Sequence, residues 1–99
     1  MDSIHINNFN SLQDFLRQND VFNRFGLSRI GIFGSFIRGE KYNDIDLLLE
    51  ENIDYNKRQE LKQLLEVSLH TKIDLVIKQF AEPIILRHAL KDVQYATGD

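Results

Sequence analysis

Two acids separated by one residue, Asp44 and Asp46, stand in a run whose other members are Ile45, Leu47, Leu48 and Leu49, and a third acid, Asp74, interrupts Ile73-Asp74-Leu75-Val76-Ile77. In an extended chain, residues i and i+2 project to one face. Asp44 and Asp46 therefore point together while Ile45, Leu47 and Leu49 turn to a core, and a one-residue slip of register would bury both carboxylates. Carboxylates held a few ångströms apart repel unless a cation lies between them. The natural cation for an all-oxygen set is a hard divalent ion, which makes Asp44, Asp46 and Asp74 candidate metal ligands and catalytic acids. The plainer alternative is three solvated acids at the mouths of strands. It sits badly with acids placed inside apolar runs, where an unpartnered charge is costly.

Upstream, Ile30-Gly31-Ile32-Phe33 is an apolar run that ends at Gly34-Ser35. Gly34 lets a ligand approach the backbone closely. Ser35 is read as opening a short helical turn, whose unpaired N–H groups can receive phosphate oxygens alongside its hydroxyl. Ser35 as a simple helix cap is the alternative. Arg38 is placed either to reach a phosphate or to pair with Glu40. Gly34, Ser35 and Arg38 are the candidate phosphate-binding residues. Three rival motifs fail on particular residues. Gly34 and Gly39 have the glycine spacing of a P-loop, yet Glu40 stands where its Lys is needed. Asp44-Ile45-Asp46 could open a calcium loop, yet Leu47, Leu48 and Leu49 follow where ligands and a sharp-turn Gly are required. A dinucleotide fingerprint is absent.

The elements that must position these residues follow from periodicity. Leu12, Phe15, Leu16, Phe22 and Phe25 recur at helical spacing from about Ser11 to Phe25, with Asn10 or Ser11 as cap, a break at Asn19-Asp20 and Gly26 as a left-handed stop. These Phe residues are expected in the core, not as a nucleobase platform. Strands are expected at Arg29 to Phe33, Asp44 to Glu50 and Lys72 to Ile77. The helix from Asp54 to His70, with Leu61, Leu64, Leu65 and Leu69 on one stripe, crosses from the second strand to the third. Pro83 suits the first turn of a final helix, Glu82 to Lys91. Its Arg87, His88 and Lys91 read as surface charge, and His70 has no ligand partner in view. Asp92 to Ala96 reads as a short edge strand or extended tail, and Thr97 to Asp99 should fray. The expected fold is α/β, a small mixed β-sheet with packed helices.

The chain has 99 residues, 42% of them hydrophobic, which suits a single globular domain over residues 1–99 with one core. The net charge of −3 speaks against a surface that tracks a long nucleic acid, since such surfaces depend on many Lys and Arg. A single nucleotide remains compatible. No apolar run approaches a membrane span, and Met1 to Asn10 lacks the layout of a signal peptide. A cytoplasmic protein is expected, consistent with the absence of cysteine.

Taken in order, Phe33-Gly34-Ser35, Arg38-Gly39-Glu40, Asp44-Ile45-Asp46-Leu47-Leu48 and Lys72-Ile73-Asp74-Leu75-Val76 resemble the minimal nucleotidyltransferase (MNT) domains of the DNA polymerase β superfamily. The resemblance spans nearly the whole chain. It departs in one place: Phe36 to Asn43 form a shorter spacer than the family usually has, with Asn43 where a Ser commonly precedes the first Asp. The resemblance implies transfer of AMP from ATP, with two Mg2+ ions held by Asp44, Asp46 and Asp74. Asp44 and Asp46 would bind both ions, and Asp74 would serve the acceptor hydroxyl. Gly34 and Ser35 would hold the β- and γ-phosphates. With no acceptor-binding domain in view, the acceptor site would come from another protein or a second copy of the chain. Here the resemblance points to MNT antitoxins encoded beside HEPN-domain RNase toxins, some of which place AMP on the toxin. The shortened spacer keeps open a second reading, an antitoxin that neutralises its toxin by contact alone.

Overall fold

A computed structural model describes residues 6–99. The helices are α1 (Phe9–Gln18), α2 (Val21–Phe25), α3 (Tyr55–Leu69) and α4 (Pro83–Asp92); the strands are β1 (Arg29–Phe33), β2 (Asp44–Leu49), β3 (Lys72–Ile77) and β4 (Gln94–Thr97). The strands form one mixed sheet in the order β3-β2-β1-β4. β1 runs antiparallel to both β2 and β4, whereas β2 and β3 are parallel, with α3 as their crossover. The fold is thus the expected small mixed sheet with packed helices. Among the described residues, no helix is long and apolar enough to cross a membrane.

Local chemistry sets the boundaries. The helical stretch from α1 to α2 is broken at Asp20, which takes a left-handed conformation at φ 54°, and Gly26 stops α2 at φ 67°. Asn8 caps α1, in place of the expected Asn10 or Ser11. Its side chain accepts from the Ser11 N–H at 2.9 Å while the Ser11 hydroxyl accepts from the Asn8 N–H at 3.2 Å, a reciprocal box that places Ser11 inside the first turn. Asp54 caps α3 through the Lys57 N–H at 2.9 Å. His70, at φ 53°, closes that helix as its left-handed cap.

The core lies between one face of the sheet and α1 to α3. Ile30, Ile32, Ile45, Leu47, Leu49, Ile73 and Ile77 meet Leu12, Leu16, Leu61 and Leu65 there, and Phe15, Phe22 and Phe25 are core side chains as expected. The opposite face is covered differently. Leu48 is fully buried on it, and a Cβ added to Gly31 would lie 2.8 Å from Val93 Cγ2 and 3.2 Å from Leu48 Cβ, so the corner between α4 and β4 closes directly over β1. Asp44, Asp46 and Asp74 share this second face, beyond that cover. The C-terminus does not fray as expected. The Thr97 N–H donates to Gln13 Oε1 at 3.0 Å, and Arg17 donates to the carbonyls of Thr97 at 2.8 Å and Asp99 at 2.6 Å.

Burial predicts a contrast between two aliphatic residues near the second face. Leu48→Ala should cost about 2–5 kcal/mol in chemical denaturation, because the cavity is walled by backbone and by the α4 corner. Ile84→Ala on α4, at a position 63% exposed, should stay within about 0.5 kcal/mol of wild type.

Candidate active site

Register assembles the acids. Asp46 of β2 lies opposite Asp74 on β3 and opposite Phe33 on β1, and Asp44 lies opposite Lys72. Neighbouring strands are roughly 4.8 Å apart, so Asp46 and Asp74 are adjacent like charges on one face, with Asp44 two residues along. Asp44 and Asp46 are half-buried and Asp74 is exposed. The surroundings push the Asp46 carboxyl up to about 6, first through burial, then through the negative charges of Asp74 and Asp44. Arg38 opposes this rise and Asp92 adds to it.

Directly after β1 the chain turns sharply. Gly34 has φ 85°, and a Cβ at that position would collide with Asp46 Oδ2, so glycine is required both by conformation and by the acid beside it. Ser35 follows, in a series of tight turns. The N–H groups of Ile37 and Arg38 return to Gly34 O, that of Gly39 to Phe36 O and that of Glu40 to Ser35 O. The expected short helical turn is thus a run of hydrogen-bonded turns that does not settle into a regular helix, because its bonds reach back by unequal numbers of residues. It is anchored by Phe36, which is buried and meets the Tyr42 ring edge-on at 5.0 Å. Tyr42 in turn donates to Ile6 O at 3.3 Å.

Arg38 does not choose between its two expected roles in a simple way. It pairs with Glu40 at 3.1 Å and reaches the Ser35 hydroxyl at 3.4 Å, but its shortest contact is with Asp92, at 2.6 Å. Asp92 also accepts the Gly34 N–H at 3.4 Å. These carboxylates raise the Arg38 pKa, Glu40 most. Asp92 was not singled out by sequence reasoning. It lies far along the chain from Arg38, in a stretch read as a short edge strand or extended tail, and it is instead the last residue of α4, whose packing on the sheet brings it to the turn.

A cleft of about 260 Å³ opens beside the acids, lined by Ser35, Lys41, Tyr42, Asn43, Asp44 and Asp46. Lys41, Tyr42 and Asn43 are additions to the expected set. A larger cleft, about 350 Å³, lies away from the acids between Arg17, Phe22, Leu27 and Asp99 and carries none of this chemistry. Gly34, Ser35, Arg38, Asp44 and Asp46 are thus brought together, and Asp74 joins them through Asp46 without lining the cleft. Among the described residues, no group of three His, Cys, Asp or Glu side chains is arranged to hold a metal ion together. The donor chemistry nevertheless suits a hard divalent cation. The set is all oxygen, and the repulsion that raises Asp46 is of the kind a bound cation relieves.

The chain matches the family model described as polymerase beta, nucleotidyltransferase, over residues 10–95. It is 40% identical over 76 residues to the protein adenylyltransferase MntA of Thermococcus cleftensis, covering 73% of this chain and 77% of that protein. A toxin-antitoxin structure with AMP-PNP superposes with a TM-score of 0.68 at 25% identity, covering 84% of this chain and 72% of the other. The Shewanella oneidensis complex of a tri-AMPylated HEPN toxin with its MNT antitoxin gives 0.61 at 26% identity, over 88% and 73%.

Two outcomes follow from the geometry around Asp46. Gly34→Ala should lower stability by about 1–3 kcal/mol in urea denaturation, because it forces a side chain into a left-handed conformation against a carboxylate. Asp46 supplies a pH dependence of known sign. Its carboxyl is raised from 3.8 in the unfolded chain to about 6 in the folded one, so the folded protein holds the extra proton between those values and stability falls as pH rises through that window. The melting temperature of Asp46→Asn should therefore gain on wild type from pH 4 to pH 6 and hold that gain above it. A constant difference across the range would contradict the assigned shift.

Proposed function

This chain belongs to the polymerase β nucleotidyltransferase family, and on that premise we propose that it transfers AMP from ATP to a hydroxyl of a partner protein, acting as the antitoxin of a HEPN-domain toxin. The observation that carries the reading is the alignment of Asp46 with Asp74 on adjacent strands, beside Asp44 and directly below the Gly34-Ser35 turn. The names of the relatives support it: one is a protein adenylyltransferase, and one structural neighbour is an MNT antitoxin bound to an AMPylated toxin.

Each residue has a role in this reading. Asp44, Asp46 and Asp74 would hold two magnesium ions, which when bound supply charge neutralisation at the triphosphate. Gly34 and Ser35 hold the β- and γ-phosphates through a backbone N–H and a hydroxyl, and Arg38 is within reach of the same oxygens. The acceptor hydroxyl attacks the α-phosphorus in line. A new oxygen–phosphorus bond forms, the bond to the bridging oxygen of the β-phosphate breaks, and pyrophosphate leaves. The hydroxyl proton passes to Asp74, the most exposed of the three acids and the one at the rim an acceptor would approach. The second reading, neutralisation by contact without chemistry, is favoured by one observation: the three acids are aligned in register without being gathered as ligands of one ion.

Calorimetry with ATP and magnesium tests the site. Wild type should bind and Asp44→Asn/Asp46→Asn should lose that binding; equal magnesium-dependent affinity in both would remove the acids from the site. Asp74→Asn should keep most of the affinity and lose transfer by at least ~100-fold, the scale for removing a general base. Intact-mass spectrometry of a candidate HEPN-domain partner toxin separates the two readings. The enzyme reading expects a mass gain of AMP after incubation with ATP and magnesium. Silencing of the toxin at unchanged mass, equally by Asp44→Asn/Asp46→Asn, would leave the contact antitoxin.

A further inference from the structure

Two of the groups facing the phosphate side of the site, the Gly34 N–H and the Arg38 guanidinium, are both taken by one carboxylate. Asp92, the last residue of α4, accepts from Arg38 Nη1 on Oδ2 at 2.6 Å and from the Gly34 N–H on Oδ1 at 3.4 Å. A carboxylate bridging a guanidinium and a backbone N–H presents its two oxygens much as a phosphate does. The Asp92 side chain is 20% exposed and that of Arg38 45%, so the pair is screened on the arginine side, and its 2.6 Å geometry with the added Gly34 contact is what holds it.

The position of Asp92 in its helix argues that the acid is not there for the helix. The C-terminal end of a helix carries partial negative charge and disfavours an acid. Asp92 also lies close enough to Asp46 to add to the repulsion on that carboxylate. Two local effects thus oppose an acid at this position, and the contacts that offset them are those with Arg38 and Gly34.

We infer that Asp92 occupies the place of a nucleotide phosphate, so that a triphosphate must displace it from Arg38 and Gly34 in order to bind, and Asp92 thereby sets nucleotide affinity. This rests on the nucleotide site proposed above. It goes beyond that site by assigning a residue outside the three acids and the Gly-Ser turn. It also couples binding to α4, because releasing Asp92 frees the C-terminal end of that helix from the turn. Nucleotide exchange would then be felt on the outer surface of α4.

The test is a double-mutant cycle read by binding. Affinities for ATP and for inorganic triphosphate, each with magnesium, are measured by calorimetry on wild type, Asp92→Asn, Arg38→Gln and the double variant. Asp92→Asn should tighten both ligands about two- to fivefold, the scale of a half-exposed ion pair that no longer competes. The gain should largely vanish on the Arg38→Gln background, where the competition has already been removed. Asp92→Ser serves as a second variant, and a melting curve on each checks the fold. Unchanged or weaker affinity in Asp92→Asn and Asp92→Ser would overturn the inference and make Asp92 a structural tie. A gain that persists in full without Arg38 would overturn it as well, by showing only a reduction in local negative charge. If wild type binds neither ligand, the nucleotide site itself falls and the inference with it. Binding indifferent to Asp92 removes this inference alone.

Discussion

The parallel pairing of β2 with β3 forces Asp46 and Asp74 into adjacent positions on one face, and this like-charge contact is the constraint around which the rest of the structure is arranged. The repulsion is not relieved by a slip of register, because the opposite face of the same strands is the core. Ile45, Leu47 and Leu49 are paired with Ile73, Leu75 and Ile77, and a shift of one residue would exchange buried aliphatics for carboxylates. Burying one such side chain is worth about 1.5–3 kcal/mol, so six of them outweigh one partly solvated pair of acids. The hydrophobic pattern therefore holds an unfavourable electrostatic arrangement in place. Asp46, whose carboxyl is raised to about 6 first by burial and then by the charges of Asp74 and Asp44, carries the cost of both.

The stretch between β1 and β2 is organised by the same acid. Gly34 must lack a side chain because Asp46 Oδ2 lies where the Cβ would be. Phe36 turns into the core and stacks edge-on with Tyr42, and this pins both ends of the connection from Phe36 to Asn43. The connection is thus not a loose loop. Its polar groups, from Ser35 to Asn43, are held at the rim of a cleft that contains Asp44 and Asp46.

Much of this was legible in the sequence, and the reasons differ by residue. The shared face of Asp44 and Asp46, and the core face of Ile45, Leu47 and Leu49, follow from the two-residue period of a strand and needed no tertiary information. The break at Asp20 and the stop at Gly26 follow from local backbone preference. Leu48 was not assigned a face because the covering corner of α4 and β4 is formed by residues remote in the chain. The cap of α1 was misplaced because Asn8, Asn10 and Ser11 all suit a cap, and only the reciprocal box with Ser11 at the third position selects Asn8. The tie of Arg17 and Gln13 to the C-terminus, and of Asp92 to Arg38, link residues too distant in the chain for any periodic signal to register.

The charges around the site also bear on what can be bound there. Arg38 is matched by Glu40 and Asp92, while Lys41 lines the cleft and Lys72 lies opposite Asp44 in the register. A bare polyanion approaching this face would meet Asp44, Asp46 and Asp74 along with these few cations. A long nucleic acid depends on a series of Lys and Arg along its backbone. A triphosphate differs because its charge is compact and can arrive already partly neutralised by a divalent cation, which makes the acids an attraction where they would otherwise be a barrier. On the proposed reading the same acids would favour a small, cation-bearing nucleotide, and the acceptor would be met on the exposed side of Asp74.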